Sequence, residues 1–374
     1  MAEFKTPTIK KYKTRVEDNP ELQTPIKIPA SPFLQQIGYG CGVTVFSLER
    51  SPKVGFIRSP WAIKKRNSKI IEDKKYNERI RFEAEILRKL NHPNIIGFRA
   101  FSKLPNGEPC LAMEKLDASL GDRIEQKLDI DDDPFPANDI LKIMYEIAKG
   151  LEYLHHIAYI LHGDIKSYNV LISSDYKIVK LCDFGVSLPL TETLEVDTSN
   201  GNFNYVGTEC WSAPEIIFED GPVTNKADIW AYGLVVWEMI ALSAPHIESS
   251  EMDDSYLDDS MLEMKMKNNI TNEYDTNMDD SNSFLNKIVN TKYGTRPSLP
   301  AINLGKEYEK VLEVFFACTT TDYKVRPSAK GLVNYFENYV FNSKKKKSED
   351  NSLKKIITII TNFQVYNINI NRFL

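Results

Sequence analysis

Residues 162–185 read HGDIKSYNVLISSDYKIVKLCDFG. Asp164, Lys166 and Asn169 stand in the order D-x-K-x-x-N, and Asp183-Phe184-Gly185 follows. Two carboxylates, an amide and a cation at this spacing can orient a hydroxyl and hold metal-bound phosphate oxygens, the charge pattern that phosphoryl transfer requires. Further groups extend the set in both directions. Lys64 closes the short apolar run Trp61-Ala62-Ile63, and Glu83 lies 19 residues later, with Ala213-Pro214-Glu215, Asp228 and Arg326 beyond the central stretch. The chemistry this order points to is ATP-dependent, with Mg²⁺ as the accompanying ion.

Each residue then takes an expected role. Asp164 is the candidate catalytic base, and Lys166 would steady the moving phosphate charge. Asn169 and Asp183 would hold Mg²⁺. Lys64 would neutralise phosphate, kept in place by Glu83; Lys65 and Glu85 are the competitors for these two roles. Gly38, Gly40 and Gly42 form a loop whose backbone N–H groups can approach phosphate closely. In the G-x-G-x-x-G-x-V pattern the third glycine would fall at position 43; here Val43 stands there and Gly42 comes one residue early. Val45 and Ala62 are expected against adenine. Met113 would gate the space behind it, Glu114 to Leu116 would form the hinge, and Leu171 joins the nucleotide-contacting set. His162 reads as a packed core histidine. Thr208 is expected near Asp164 and Lys166, Glu215 against Arg326, and Asp228 under the catalytic loop as a backbone acceptor.

Length and composition bound the rest. The chain has 374 residues, 42% of them apolar, enough for two lobes. A net charge of -5 gives no global signal for nucleic acid. Five scattered cysteines (41, 110, 182, 210, 318) lack metal-ligand spacing and read as free thiols of a reducing compartment. No signal peptide or membrane span is expected, so the cytoplasm or nucleus is the expected location.

The fold class expected is α+β and bilobal. Residues 1–30 read as a flexible arm with Thr6-Pro7 and Thr24-Pro25, candidate targets of an upstream proline-directed kinase. Within residues 31–341, the small lobe (31–114) should hold five strands and one helix over 72–90. The large lobe (117–341) should be mainly helical, with helices beginning near 137 and covering 226–242, 303–319 and 328–341. ATP would sit between the lobes. Residues 248–290 form an acidic insertion, read as a solvated loop or a docking surface for basic partners. Residues 342–374 form a tail that starts with Lys344 to Lys347 and is rich in Ile and Asn.

From about residue 31 to 341, these motifs resemble the eukaryotic protein kinase family. FKTP at the start, IPASPF, Gly40-Cys41-Gly42-Val43, SPWAIKK, LHHIAYILHGDIKS and the acidic stretch before YGTRP are similar to one branch of it, related to MAP kinase kinases. The resemblance implies serine/threonine phosphorylation of proteins, with dual specificity left open, in mitotic or MAP kinase signalling. MAP kinases and histone-like proteins are the implied substrates. Lys166 with Thr208 fits the serine/threonine members. Gly163 replaces the arginine most members carry, which leaves a phosphate on the activation segment a weaker anchor. The alternatives are a pseudokinase or scaffold that binds through the insertion and tails, and an enzyme acting on a small molecule.

Overall fold

The computed structural model describes residues 34–40, 42–49, 59–67, 74–104, 107–199, 201, 204–246 and 292–341. Thr6, Thr24, Cys41, the insertion at 248–290 and the tail at 342–374 lie outside the described residues.

Five antiparallel strands make the small lobe: β1 Leu34–Gly40, β2 Val43–Leu48, β3 Trp61–Arg66, β4 Phe98–Lys103 and β5 Pro109–Glu114. They lie in the order β1-β2-β3-β5-β4. The first hairpin closes between Gly40 and Val43. Gly42 has φ +76°, a left-handed conformation that a side chain would strain. The early glycine is therefore the one the tight turn uses. Helix α1, Lys74–Leu87, turns Tyr76, Ile80, Glu83, Ala84 and Leu87 inward. This helical spacing of three and four puts one stripe on the sheet. The helix ends at Leu87, short of the expected position 90; Leu90 is buried in the turn that follows.

The large lobe contains more strand than its helical periodicity suggests. Two small sheets form from β6 Ala118–Ser119, β8 Val170–Ile172 and β9 Val179–Leu181, and from β7 Ile160–Leu161 with β10 Leu188–Pro189. These strands have two or three residues each, too few for a period-two pattern to register. Helix α2, Leu120–Ile130, was not expected either. Its signal is the capping box: Asp122 N donates to Ser119 Oγ at 3.0 Å and Ser119 N donates to Asp122 Oδ2 at 2.8 Å.

Helix α3, Ala137–Tyr153, follows, then α4 Pro214–Ile217, α5 Lys226–Ala241, α6 Glu309–Cys318 and α7 Ala329–Tyr335. The helix expected over 303–319 begins as a 3-10 turn at Lys306–Tyr308. The one expected over 328–341 widens to a π-helical turn, Phe336–Phe341, where Phe336 and Phe341 pack on Tyr145 at 5.8 and 5.3 Å between centroids. Every residue of α5 from Ala227 to Ile240 is buried, so it forms the axis of the lobe. Its apolar surface all round explains that position. One continuous core runs from Ile80 and Leu111 in the small lobe to Phe315 in the large one.

The lobes are also strapped together. Ile96 N donates to Leu181 O and Leu181 N to Asn94 O, both at 2.9 Å, and Asn94 Nδ2 reaches Val179 O at 3.0 Å. Among the described residues no helix is long and apolar enough to cross a membrane. The described cysteines, 110, 182, 210 and 318, are free thiols.

Candidate active site

The inner wall of the cleft is an ion triad. Lys64 Nζ lies 2.9 Å from Glu83 Oε2 and 2.8 Å from Asp183 Oδ1. Strand β3 presents Lys64 and α1 presents Glu83. Lys65 faces the other side of the sheet, over the Phe46 ring at 4.3 Å, and Glu85 is only partly buried on another face of α1, so neither competitor takes part. Burial opposes the charge on Lys64, but the Asp183 and Glu83 carboxylates outweigh it and hold the ammonium well above the usual lysine range. Partial loss of water on the cleft floor opposes the charge on the half-exposed Asp183, and Lys64 overcomes it to hold the carboxyl well below its usual range.

Asp183 has φ +63°, rare for a residue with a side chain. Two anchors maintain it. Phe184 is fully buried beside His162, with centroids 4.9 Å apart, and His162 Nε2 meets Cys182 O at 2.9 Å. His162 is thus a core histidine, as its sequence context implied.

Asp164 is held from several sides. Thr208 donates to its Oδ1 through the hydroxyl at 2.7 Å and the backbone N–H at 3.1 Å. Lys166 Nζ lies 3.1 Å from its Oδ2 and donates to Thr208 Oγ1 at 2.8 Å. Asn169 Nδ2 donates to Asp164 O at 2.7 Å and to Oδ2 at 2.9 Å. Burial works against the charge on Asp164, and Lys166 with the Thr208 hydroxyl outweighs it to keep the carboxyl below the usual range. The group is therefore an ionised hydrogen-bond acceptor at neutral pH.

The loop that carries these groups rests on α5. Asp228 accepts from His162 N at 2.8 Å and Gly163 N at 2.9 Å, and its Oδ2 meets His155 Nε2 at 2.8 Å. Gly163 has φ +80°, and a Cβ there would lie 3.1 Å from Val186 O. Glu215 and Arg326 form the expected buried pair, with Nη1–Oε1 at 2.8 Å and Nη2–Oε2 at 2.7 Å.

The residues expected around adenine lie on neighbouring strands and at the junction of the lobes. Ala62 pairs with Met113 across β3 and β5, and Val45 pairs with Lys64 across β2 and β3. Met113 and Ala62 are buried, while Leu116 and Leu171 are partly buried against the same core. Glu114 is tied by its side chain to Lys180 at 3.0 Å and by its N–H to Gly97 O at 2.8 Å, which fixes the strand end where the lobes join. Gly38 and Gly40 lie on β1 above. Sequence reasoning missed Tyr76, whose ring lies directly beneath Gly42.

Asp183, Asn169 and Lys64 fit a nucleotide bound with its metal. Among the described residues no three His, Cys, Asp or Glu side chains form a metal cage. Mg²⁺ commonly uses one or two carboxylates and completes its shell from substrate phosphate and water.

Comparison with known proteins agrees with this arrangement. The family described as protein kinase domain matches residues 33–334. The chain belongs to the protein kinase family. The lymphokine-activated killer T-cell-originated protein kinase of Homo sapiens is 43% identical over 343 residues, 90% of this chain and 98% of that protein. The mitogen-activated protein kinase kinase kinase zak-1 of Caenorhabditis elegans is 32% identical over 179 residues, 45% of this chain and 23% of its own. The probable serine/threonine-protein kinase drkC of Dictyostelium discoideum is 34% identical over 186 residues, 50% and 24% of the respective chains. The kinase described here is an ATP-dependent protein serine/threonine kinase with ATP and Mg²⁺ as its cofactors.

Proposed function

We propose that this kinase transfers phosphate to protein serine and threonine hydroxyls in mitotic or MAP kinase signalling, with Asp164 as catalytic base. The observation that supports it most is the closed set Lys64–Glu83–Asp183 facing an ionised Asp164 that is already fixed by Thr208, Lys166 and Asn169. Asp164 orients the acceptor hydroxyl and takes its proton; Lys166 balances charge on the moving group; Lys64 holds the inner phosphates. Mg²⁺-ATP supplies the phosphoryl group, with Asn169 and Asp183 as the metal-facing residues. Gly38, Gly40 and Gly42 cover the phosphates, and Val45, Ala62, Met113, Glu114, Leu116 and Leu171 surround the base.

The finer parts of this reading are MAP kinases or histone-like proteins as substrates, a proline-directed kinase acting at Thr6 or Thr24, and residence in the cytoplasm or nucleus. The MAP kinase part rests on the name of the zak-1 relative, the upstream kinase on the Thr-Pro motifs, and the histone-like substrates and the location on the sequence reading above. Incubating the kinase with Mg-ATP and a MAP kinase, a histone or a generic basic protein, beside an Asp164→Asn control, and mapping the phosphosites tests it. Phosphate on the Thr-x-Tyr segment of the MAP kinase, absent with the control, supports the pathway reading and dual specificity. Phosphate confined to serine and threonine of basic proteins removes the MAP kinase assignment. No transfer to any acceptor rejects the proposal.

Two further effects follow from the cleft. Gly42→Ala combines a left-handed backbone with a collision against the Tyr76 ring. It is expected to raise KM for ATP about tenfold; an unchanged KM would remove the loop from phosphate binding. Met113 fills the space behind the base, so inhibitors that need a deep rear pocket are expected to gain about tenfold in affinity with Met113→Ala. Equal affinities for the two proteins would show that Met113 is not the gate.

A further inference from the structure

The glycine turn of the small lobe rests on a side chain that the chemistry above does not use. Tyr76 stands in the first turn of α1 and is 5% exposed. A methyl group at Gly42 would collide with its Cδ1, Cε1 and Cζ atoms, so the ring occupies the space that a side chain at position 42 would need. The backbone there is left-handed, with φ +76°. The turn is also tied to the sheet, since Asn67 N, just past the end of β3, donates to Gly42 O at 2.8 Å. Gly42 and Tyr76 are thus a matched pair, the glycine bare where the ring is full.

The place of the ring gives it a use. Tyr76 lines one cavity with Val43, Lys64, Asp164 and Asp183, the space in which the phosphates would lie. A glycine-rich turn has much conformational freedom to lose when it closes over a ligand. Whatever holds it closed beforehand lowers that cost and raises affinity. A tyrosine ring suits this task, because it is rigid and only two rotatable bonds join it to the helix. Helix α1 is itself fixed by Ile80, Ala84 and Leu87, which are buried in the core and share the inward stripe with Tyr76 and Glu83.

We infer that Tyr76 is a positioning residue for the ATP phosphates: its ring, seated against the bare backbone of Gly42, holds the glycine turn at the height from which its N–H groups reach them. The inference rests on the kinase reading, in which that turn covers the phosphates. Tyr76 acts through the turn and not on the base, so its effect falls on ligands that carry phosphates.

Tyr76→Ala removes the ring, Tyr76→Leu keeps apolar bulk and helix propensity without it, and Tyr76→Phe keeps the ring itself. The measurements are KM for ATP and for the acceptor protein phosphorylated in the assay above, the inhibition constant of adenosine against ATP, and the melting temperature. Wild-type turnover in that assay establishes the kinase reading independently. Tyr76→Ala is expected to raise KM for ATP about tenfold and Tyr76→Leu about fivefold, while KM for the acceptor and the adenosine constant stay within about twofold. The leucine variant carries the test should the alanine variant fail to fold. Tyr76→Phe should stay within about threefold of wild type, because it is ring carbons that meet Gly42. The Gly42→Ala/Tyr76→Ala double variant should fall within about threefold of the poorer single one, since both changes break the same contact. An unchanged KM for ATP in the leucine variant, adenosine affinity that falls in parallel with that of ATP, a Tyr76→Phe defect as large as that of Tyr76→Ala, or losses that add to about a hundredfold in the double variant would each overturn the inference.

Discussion

Replacing Asp183 with alanine is expected to reduce phosphoryl transfer at least about a thousandfold while the fold survives. Asp183 is the group through which the small lobe's lysine and the large lobe's loop meet, with Lys64 at 2.8 Å. Its side chain is 41% exposed and faces the cleft, so its removal leaves no cavity in the core. Lys64 keeps Glu83 at 2.9 Å and is not left as an unpaired buried cation. Phe184 and His162 still anchor the neighbouring backbone. Loss of activity should therefore appear without a matching loss of melting temperature. Two measurements check this: Mg²⁺-dependent turnover of ATP with an acceptor protein, and a thermal melt. Turnover within about tenfold of wild type would mean that Asp183 does not face the metal. The depressed pKa also gives a sign for pH. Asp183 is charged above its folded pKa, so its contribution holds through the neutral range and is lost only as pH falls through that low value.

The second large effect concerns stability. Arg326→Ala is expected to lower unfolding free energy by about 3–5 kcal/mol, and the melting temperature by about 5–8 °C. The guanidinium is fully buried. Beyond Glu215, it donates to Thr320 O at 2.7 Å, Lys226 O at 3.0 Å and Thr321 O at 3.1 Å, and it stacks over Trp230 at 4.9 Å. Alanine leaves those carbonyls and the Glu215 carboxylate buried without their donor, and this accounts for most of the loss. Arg326→Lys should recover little, because an ammonium cannot reproduce the planar fork. Differential scanning calorimetry of both variants checks this; a shift below about 2 °C for Arg326→Ala would show that the site relaxes around the loss.

The motif residues carried most of the site in the sequence itself. Lys64, Glu83, Asp164, Lys166, Asn169 and Asp183 share a spacing that only one kind of charge arrangement explains, and the structure brings them together. Arg326 with Glu215 and Asp228 with the loop backbone were legible from motif order as well: Ala213-Pro214-Glu215, then Asp228 in DIWAYG, then Arg326 follow the catalytic cluster at the expected places. Periodicity found the long helices and the five strands of the small lobe, where runs of six or more residues face one core. It failed for β6 to β10, where two or three residues are held by contacts distant in sequence. It also missed the contact of Tyr76 with Gly42, which lie far apart in sequence with nothing in local composition to link them.

The strap between Asn94 and Leu181 has a mechanical consequence. It fastens the chain just after α1 to strand β9 of the large lobe, whereas the start of α1 near Tyr76 is held by the small lobe's glycine turn. Helix α1 is a lever whose fulcrum is at its C-terminal end. A tilt of the small lobe therefore moves Tyr76 through a wide arc and Glu83 through a shorter one, so the turn above the cleft can lift or settle well before the Lys64–Glu83 contact opens.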